Sequence, residues 1–334
     1  MPRISSRDWN SRGNSRGRIV PDRRRFRRPL ESLGVALLAG GVRRLPVAGL
    51  GALAAVLGWL AFDVLRIRRA VAVGNVLDRI APPGGAAEAV RIARKSYRIT
   101  ALTFLDLLRI DLIDEDSLWK RVRREDLDRL VAHARSGRCG VLVSGHFGNW
   151  ELMALAIRRC GLKLNALAGD QANPAVDSRV KKIRGRAGIL THSARTGVRA
   201  ALDGLGRGEF LATLMDQDAR HRGVFVDFLG TPAKTHTGVV VLAARAGVPL
   251  IPVALVREGK GQYRFITGEP WEPGEGAAEE VFAPLGAAHF TRFLERLVRE
   301  HPEHYFWAHR RWKTRPVAEA GSVQQEPKGT WPTG

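Results

Sequence analysis

The sequence predicts an α/β protein with a largely parallel sheet, and three observations support that class. From Gly140 onward, short apolar runs alternate with stretches of helical composition, which is the pattern of strands joined by crossover helices. The first run, at 141–143, contains no polar position, as expected for a strand buried on both faces. The preceding part, at 70–135, has helical spacing throughout, and Pro82-Pro83-Gly84-Gly85 interrupts it. At 334 residues the chain can bury a large core, in one domain or in two.

Each predicted element has its own signal in the sequence. We assign strands to short apolar runs bounded by turn residues, and helices to stretches whose apolar positions recur every three or four residues. Strands are predicted at 141–143, 162–168, 210–215, 224–228, 250–255 and 263–267, and helices at 87–108, 124–134, 151–159, 177–186, 197–205, 238–245 and 290–300. An aromatic and basic segment follows, and 317–334 is predicted to be a disordered polar tail.

The loop Gly145-His146-Phe147-Gly148-Asn149-Trp150-Glu151 lies where the first strand ends and a helix begins. Its glycines permit a sharp turn and the close approach of a substrate. Histidine, with an ordinary pKa of about 6.5, can remove a proton from a hydroxyl at neutral pH. Glu151, in the first helical turn, is expected to hold one imidazole nitrogen and leave the other free. We therefore predict His146 as a general base and Glu151 as its orienting carboxylate; a buried histidine beside a helix cap is the alternative.

The charge of the chain indicates an anionic partner. The formal charge is +21 and the isoelectric point about 11.2, so nucleic acid or an acidic membrane surface is expected. Ten arginines fall within residues 1–28, and 1–29 is predicted to be a disordered Arg-rich leader. Cys139 and Cys160 have no metal-ligand spacing, so no disulfide scaffold is expected. Asp216 and Asp218 signal a metal only weakly, because no further ligand has a recognisable spacing, and we expect neither a metal nor another cofactor. The sequence also lacks the P-loop and G-x-S-x-G motifs, which disfavours P-loop enzymes and serine hydrolases.

An apolar segment decides between the two anionic partners. Leu45 to Phe62 is an uncharged stretch of 18 residues with arginines on both sides, and a spanning helix needs about 17–25 residues. Two geometries remain open: one spanning helix, or two apolar helices that lie in one leaflet. A buried soluble hairpin is the alternative to both. The basic flanks favour anionic lipid, and 30–69 is predicted to be a membrane-attachment segment.

Three further groups of residues are candidates for binding, and each has a plain structural alternative. An acidic pair after a predicted strand is expected to organise a site, although an ordinary capped loop explains it equally well. Arginines on a basic helix can hold phosphate or carboxylate groups, or simply form a solvated face. Two phenylalanines in an apolar hairpin can line a groove for an alkyl chain, or belong to the core. These candidates are Asp216, Asp218, Arg184, Arg186, Phe225 and Phe228.

Five blocks together resemble the lipid A biosynthesis acyltransferase family, the late lauroyl/myristoyl acyltransferases, to which phosphatidylinositol mannoside acyltransferases are related. The resemblance runs from about Leu30 to Pro316, and Asp227 stands where relatives usually have proline. The blocks are His-Phe-Gly-Asn-Trp-Glu at 146–151, Asn173-Pro174 with Arg184 and Arg186, Asp216-Gln217-Asp218 with 223–233, Val-Pro-Leu-Ile-Pro at 248–252, and His-Arg-Arg-Trp-Lys-Thr-Arg-Pro at 309–316.

The resemblance implies a glycerol-3-phosphate acyltransferase-like α/β/α sandwich with an N-terminal apolar membrane-attachment helix or helical pair. The acyltransferase domain would be 70–316, with a helical part at 70–135 and an α/β catalytic part at 136–316. It implies catalysis by His146 and Glu151 without a covalent acyl-enzyme. The implied substrate-binding residues are Arg184, Arg186, Asn149, Asp216, Asp218, Phe225 and Phe228.

The function expected from this resemblance is membrane-bound O-acyl transfer at the cytoplasmic face of the bacterial inner membrane. The donor would be a thioester of acyl carrier protein or coenzyme A, and the acceptor a glycolipid hydroxyl, with a lipid A precursor as first choice. One alternative is an acyltransferase with another acceptor: a phosphatidylinositol mannoside, a lysophospholipid or an ornithine lipid. The other is a basic nucleic-acid-binding protein, but the resemblance implies no nucleic-acid partner.

Overall fold

The structure, a computed structural model, describes residues 23–220, 223–259, 261–272, 274 and 276–316. Residues 1–22 of the predicted leader and the predicted tail at 317–334 lie outside the described residues. The helices are α1 (Arg23–Val42), α2 (Val47–Trp59), α3 (Arg69–Ile80), α4 (Gly85–Leu107), α5 (Glu115–Trp119), α6 (Asp128–Arg135), α7 (Trp150–Arg159), α8 (Pro174–Arg186), α9 (Val198–Gly206), α10 (Gly238–Ala246) and α11 (Glu279–Glu300). The strands are β1 (Val141–Ser144), β2 (Leu164–Ala168), β3 (Ile189–Ser193), β4 (Phe210–Leu214), β5 (Val224–Asp227), β6 (Pro232–Thr235), β7 (Leu250–Arg257) and β8 (Tyr263–Thr267).

A six-stranded sheet in the order β3-β2-β4-β1-β7-β8 forms the centre of the protein. All neighbours pair in parallel except β7 and β8, so the prediction of a largely parallel sheet is confirmed. Every residue of β1 is buried, as the apolar run at 141–143 predicts. A separate antiparallel hairpin, β5–β6, follows β4.

Helices cover both faces of the sheet, which confirms the predicted α/β/α sandwich. The chain moves from β1 through α7 to β2 and through α8 to β3, in one direction along the sheet, and then returns through α9 to β4 and through α10 to β7. Because crossovers between parallel strands are right-handed, the two directions place their helices on opposite faces. Helices α7 and α8 contact α4 on one side, and α10 contacts α9 and α11 on the other.

Most predicted elements are present, and the exceptions have physical causes. Strand β3 was not predicted, because it is a partly exposed edge strand of sequence Ile-Leu-Thr-His-Ser. Strand β6, the second strand of the predicted hairpin, was given no range of its own because it begins with proline. Helix α11 begins at Glu279 rather than at Phe290, since Pro284 within it obscures the helical pattern. The last part of the predicted leader is helical, as the first turns of α1.

Candidate active site

The loops that follow β1 and β4 meet at one edge of the sheet. These strands are adjacent and parallel, with Ser144 opposite Leu214, so His146 and Asp216 leave the sheet side by side. From β1 the chain turns to α7 on one face, and from β4 it continues through the hairpin to α10 on the other face. Such a point of divergence opens a crevice beyond the carboxyl ends of the strands, where α/β proteins bind ligands.

Two hydrogen bonds join His146 to Asp216. The imidazole Nδ1 lies 2.8 Å from Asp216 Oδ1, and the backbone N–H of His146 donates to Oδ2 over 2.8 Å. The carboxylate therefore fixes both the ring and the loop that carries it. With Nδ1–H donating to Asp216, the lone pair of Nε2 is left to accept a proton. Gln217 places its amide nitrogen 3.5 Å from Nε2, and the imidazole side chain keeps 21% of its surface exposed.

The buried carboxylate controls the charge of the ring. Burial opposes a charged imidazole, but the negative charge and hydrogen bond of Asp216 outweigh it, and the pKa of His146 is raised above 6.5. Burial likewise opposes the ionised form of Asp216, yet His146 holds the pKa of that carboxyl below its ordinary value. Each partner thus favours the charged form of the other, which suits a base that becomes an imidazolium during reaction.

Glu151 does not contact the imidazole as predicted. Its two carboxylate oxygens accept hydrogen bonds from the guanidinium of Arg184, over 3.0 and 2.5 Å, and one also accepts from the indole N–H of Trp150. The side chains of Glu151 and Arg184 are 3% and 17% exposed, so this is a buried ion pair. Glu151 acts on His146 only through its charge, as a lesser cause of the raised pKa of His146. The carboxylate that contacts the imidazole is Asp216, and the Arg184 guanidinium that was expected to bind substrate is paired with Glu151.

A required glycine and several anchors hold the loop after β1 in place. Gly148 has φ +61°, and a Cβ added there would lie 1.9 Å from the carbonyl oxygen of Leu255. Its N–H donates to the carbonyl of His304 over 2.9 Å, and its carbonyl accepts from Thr103 of α4 over 3.0 Å. No other residue type fits this turn, which presents His146 to the crevice.

Asn149 also helps to hold this loop. It is 2% exposed; its side-chain oxygen caps α7 by accepting from the N–H of Leu152, and its amide nitrogen donates to Asp106 over 2.7 Å. Asp106 is in turn held by both terminal nitrogens of Arg121. Both ends of the Asn149 amide are thus used inside the protein, and its predicted contact with a substrate stays a prediction.

The aromatic and basic segment after α11 lies beneath the histidine. The N–H of Phe306 donates to the carbonyl of His146 over 2.9 Å, and the Phe306 ring centroid lies 6.2 Å from that of the imidazole. Trp150 adds an edge contact at 5.2 Å. Arg311 is buried, and its guanidinium bonds the carbonyls of Gln217 and Lys234. The sequence left the role of this segment open, and the resemblance to a closing family signature was its one pointer to the site.

The remaining predicted residues occupy different positions. Asp218 accepts from Thr314, and its own N–H donates to the His309 ring, so it fastens the segment at 309–316 to the loop after β4. The Phe228 ring is fully buried and stacks on Trp312 at 5.5 Å, which makes it a core residue and not part of a groove. Phe225 stays half-exposed on the hairpin, under the ammonium of Lys234.

Arg186 lies outside this cluster, at the end of α8. Its side chain is 55% exposed and lies 3.7 Å from Asp111. Together with Arg43, Arg179 and Lys182 it lines an open cavity of about 330 Å³ between α1 and α8. Within the part of the chain that the structure describes, no group of three or more histidine, cysteine or acidic side chains is placed to hold a metal ion.

The fold and the site define an α/β protein in which a histidine, hydrogen-bonded to a buried aspartate, lies at the carboxyl edge of a parallel sheet. Comparison with known proteins identifies its family. The profile of the bacterial lipid A biosynthesis acyltransferases matches residues 20–314, and the chain belongs to that family. It is therefore an acyltransferase, as the sequence resemblance predicted.

Individual relatives agree with the profile. The Escherichia coli lipid A biosynthesis palmitoleoyltransferase is 27% identical over 279 residues, covering 79% of this chain and 85% of the relative. The Escherichia coli lauroyltransferase is 29% identical over 195 residues, or 56% and 60% of the two chains. A phosphatidylinositol mannoside acyltransferase of Mycolicibacterium smegmatis is 24% identical over 174 residues, or 51% and 57%. The solved 1-acyl-sn-glycerophosphate acyltransferase PlsC of Thermotoga maritima overlaps with a TM-score of 0.34 at 16% identity, over 74% of this chain and 95% of that one, which is too loose an overlap to define a shared fold.

Proposed function

We propose that this acyltransferase is attached to the cytoplasmic face of the inner membrane. There it moves a fatty acyl group from a thioester of acyl carrier protein or coenzyme A to a hydroxyl of a lipid A precursor. The observation that carries the proposal is the hydrogen-bonded pair of His146 and Asp216 at the crevice. A partly exposed imidazole whose Nδ1 is held by a carboxylate, with Nε2 free to accept, is what abstraction of a hydroxyl proton requires.

The reaction proceeds by direct attack. Nε2 of His146 takes the hydroxyl proton while the hydroxyl oxygen forms a bond to the thioester carbonyl carbon, and Asp216 stabilises the resulting imidazolium. The tetrahedral intermediate collapses with cleavage of the carbon–sulfur bond, and the imidazolium returns its proton to the departing thiol. Atoms and charge balance without a covalent acyl-enzyme. The amide of Gln217, beside Nε2, is positioned to orient the reacting hydroxyl.

Cations near α8 support an anionic acceptor. Arg179, Lys182 and Arg186 recur on one side of α8 and face Arg43, which directly follows α1 and is paired with Asp111, across the open cavity. Guanidinium groups bind phosphate through paired hydrogen bonds, and the apolar residues in the lining, such as Ile183, suit the adjoining part of an amphiphile. We assign this cavity to the charged headgroup of the acceptor, and we assign the half-exposed Phe225 to contact with the acyl chain.

The membrane part of the proposal is supported by the apolar N-terminal helices. A segment at Val47–Val64 has the length and mean hydropathy, 1.9, of a membrane span, and 22% of it is buried. A shorter apolar helix precedes it at Glu31–Val42. Arginines at 44, 66, 68 and 69 flank the longer segment and would face anionic lipid.

The test uses detergent-purified full-length protein and a labelled acyl donor. Acyl carrier protein and coenzyme A thioesters are compared with each acceptor in turn: a lipid A precursor, a phosphatidylinositol mannoside, a lysophospholipid and an ornithine lipid. We expect labelled lipid A product, and we expect His146→Ala to remove it. His289→Ala, which changes a partly exposed histidine on α11, is the control and should leave it unchanged. Transfer to another acceptor alone would replace lipid A in the proposal, and full activity of His146→Ala would refute the base.

A further inference from the structure

The apolar helix α2 packs along α4 instead of standing free. The buried residues Leu50, Ala54 and Gly58 recur every fourth position and form one face of the helix. This face is in close contact, because a Cβ added at Gly58 would lie 2.9 Å from the Cα of Arg98 on α4. Contacts between α2 and α4 are the most extensive of any pair of helices in the described residues.

Both ends of the apolar segment are tied to α4 or to the turn that follows it. At the beginning, the guanidinium of Arg109 donates to the carbonyl of Leu45 over 2.8 Å. At the far end, Arg94 makes a two-pronged ion pair with Asp63, over 3.0 and 2.7 Å. Since the early end of α2 meets the late end of α4, the two helices run antiparallel over the whole apolar length.

The opposite side of α4 holds the active site. Thr103 donates to the carbonyl of Gly148, and Ser96 donates to the carbonyl of Tyr305 in the segment beneath His146. Helix α4 also exposes the cations Arg91, Arg94, Lys95 and Arg98. If α2 crossed the bilayer with these contacts intact, α4 would carry its cations and the active-site loop into the hydrocarbon, where charged side chains are strongly disfavoured.

The side of the N-terminal helices that faces away from α4 is apolar and open. On α2 and its continuation, Val56, Trp59 and Val64 are 56%, 55% and 50% exposed, and on α1, Leu33 and Leu37 are 56% and 67% exposed. Arg44 and Arg66, just beyond the two ends of the segment, are exposed as well. An apolar face rimmed by arginines matches the hydrocarbon edge and anionic headgroups of one leaflet, and tryptophan favours that boundary.

We propose that α1 and α2 lie in one leaflet, parallel to the membrane, and that neither crosses it. This inference rests on the membrane attachment in the proposed function and fixes its geometry: residues before α1 and the catalytic domain are on the same side of the membrane. Packed helices have axes about 8–10 Å apart, so a single helix layer, α4, separates α2 from the loop of His146. The hydroxyl of the acceptor can then reach His146 at the membrane surface while the acyl chains of the acceptor remain in the leaflet.

The experiment determines on which side of the membrane two positions lie. In full-length protein with Cys139→Ala and Cys160→Ala, a single cysteine is introduced by Ser15→Cys, before α1, or by Ser136→Cys, an exposed position after α6. Spheroplasts and inverted inner-membrane vesicles are treated with a membrane-impermeant maleimide, and labelling of each variant is measured in both preparations. Acyl transfer by the same vesicles is measured separately.

We expect both cysteines to be labelled in the same preparation and protected in the other. Labelling in opposite preparations would show that the segment crosses the bilayer and would overturn the inference, while the acyl transfer assay would still stand. Recovery of both variants in the soluble fraction would overturn leaflet docking together with the membrane part of the proposed function. Loss of acyl transfer with both cysteines on one side would count against the proposed reaction and leave the membrane geometry in place.

Discussion

Asp216→Asn tests the assignment of the orienting carboxylate most sharply. The change removes one negative charge and keeps the shape of the side chain, so the 2.8 Å contacts with the ring and the backbone N–H of His146 lose their charge. An asparagine can place its amide nitrogen toward Nδ1, which favours the wrong tautomer and leaves a proton on Nε2. A correctly poised general base contributes about 10²- to 10⁴-fold in rate, and we expect kcat to fall within that range with KM little changed.

The pH profile of the same variant gives a second readout. Asp216 raises the pKa of His146 in the wild type, and the base is active only when deprotonated, so wild-type activity should fall at pH values below that raised pKa. Without the charge of Asp216 the pKa of His146 drops, and the acidic limb of the residual activity should move to lower pH. Asp227→Asn, the same charge change in the hairpin turn, serves as the control and should keep both rate and profile. An Asp216→Asn enzyme with wild-type kcat and an unmoved acidic limb would refute this account of the pair.

Three further perturbations have distinct expected outcomes. Glu151→Gln leaves Arg184 buried without its partner and should lower the free energy of unfolding by about 3–5 kcal/mol. Adding Arg184→Met should restore much of that stability. A fall in kcat with an unchanged melting temperature would instead place Glu151 in the chemistry. Gly148→Ala should abolish activity and lower the free energy of unfolding by more than the penalty of about 1–3 kcal/mol expected for a left-handed backbone alone. The control is Gly137→Ala, at φ +79° with open space around it, which should lose only the stability due to the backbone. Equal melting temperatures for the two variants would contradict the close contact at Gly148. Arg179→Ala should raise KM for the lipid acceptor about tenfold, as expected for the loss of one charge-assisted hydrogen bond, and should leave kcat unchanged. An unchanged KM would show that this cavity does not bind the acceptor.

Local patterns were enough to predict most of the sheet and the position of His146. The apolar run of β1 followed by Gly145 and Gly148 indicates a buried strand and a tight turn, and both are present. Strand β3 was not predicted and β6 was given no range of its own, because partly exposed side chains leave both sequences with little apolar periodicity. Patterns of burial therefore identify the centre of the sheet better than its edges.

The partners of the site residues depend on topology, which a single sequence does not display. Asp216 is 70 residues from His146 along the chain, and only the adjacency of β1 and β4 brings them together. Glu151 is much nearer in sequence, but as the second residue of α7 it turns toward Arg184 of α8 instead. Sequence proximity thus favoured the wrong carboxylate, although a cluster of polar residues at a strand end already marked Asp216 as part of the site.

The sequence also does not show which residues of a motif contact a substrate, as Phe228 and Asn149 illustrate. Phe228 and Asn149 lie inside motifs that resemble family blocks, yet one stacks in the core and the other caps a helix. A motif identifies residues that matter without separating those that touch a substrate from those that hold the loop. Burial and hydrogen bonds make that distinction.

The most direct test of the central claim is the single-turnover rate of acyl transfer by His146→Asn with donor and acceptor both saturating. Asparagine can still donate to Asp216, so the loop and the melting temperature should be preserved while the accepting nitrogen is lost. The account predicts a fall of at least about 10²-fold in the rate of the chemical step. A rate equal to that of the wild type, in a variant with unchanged stability, would show that His146 is not the base.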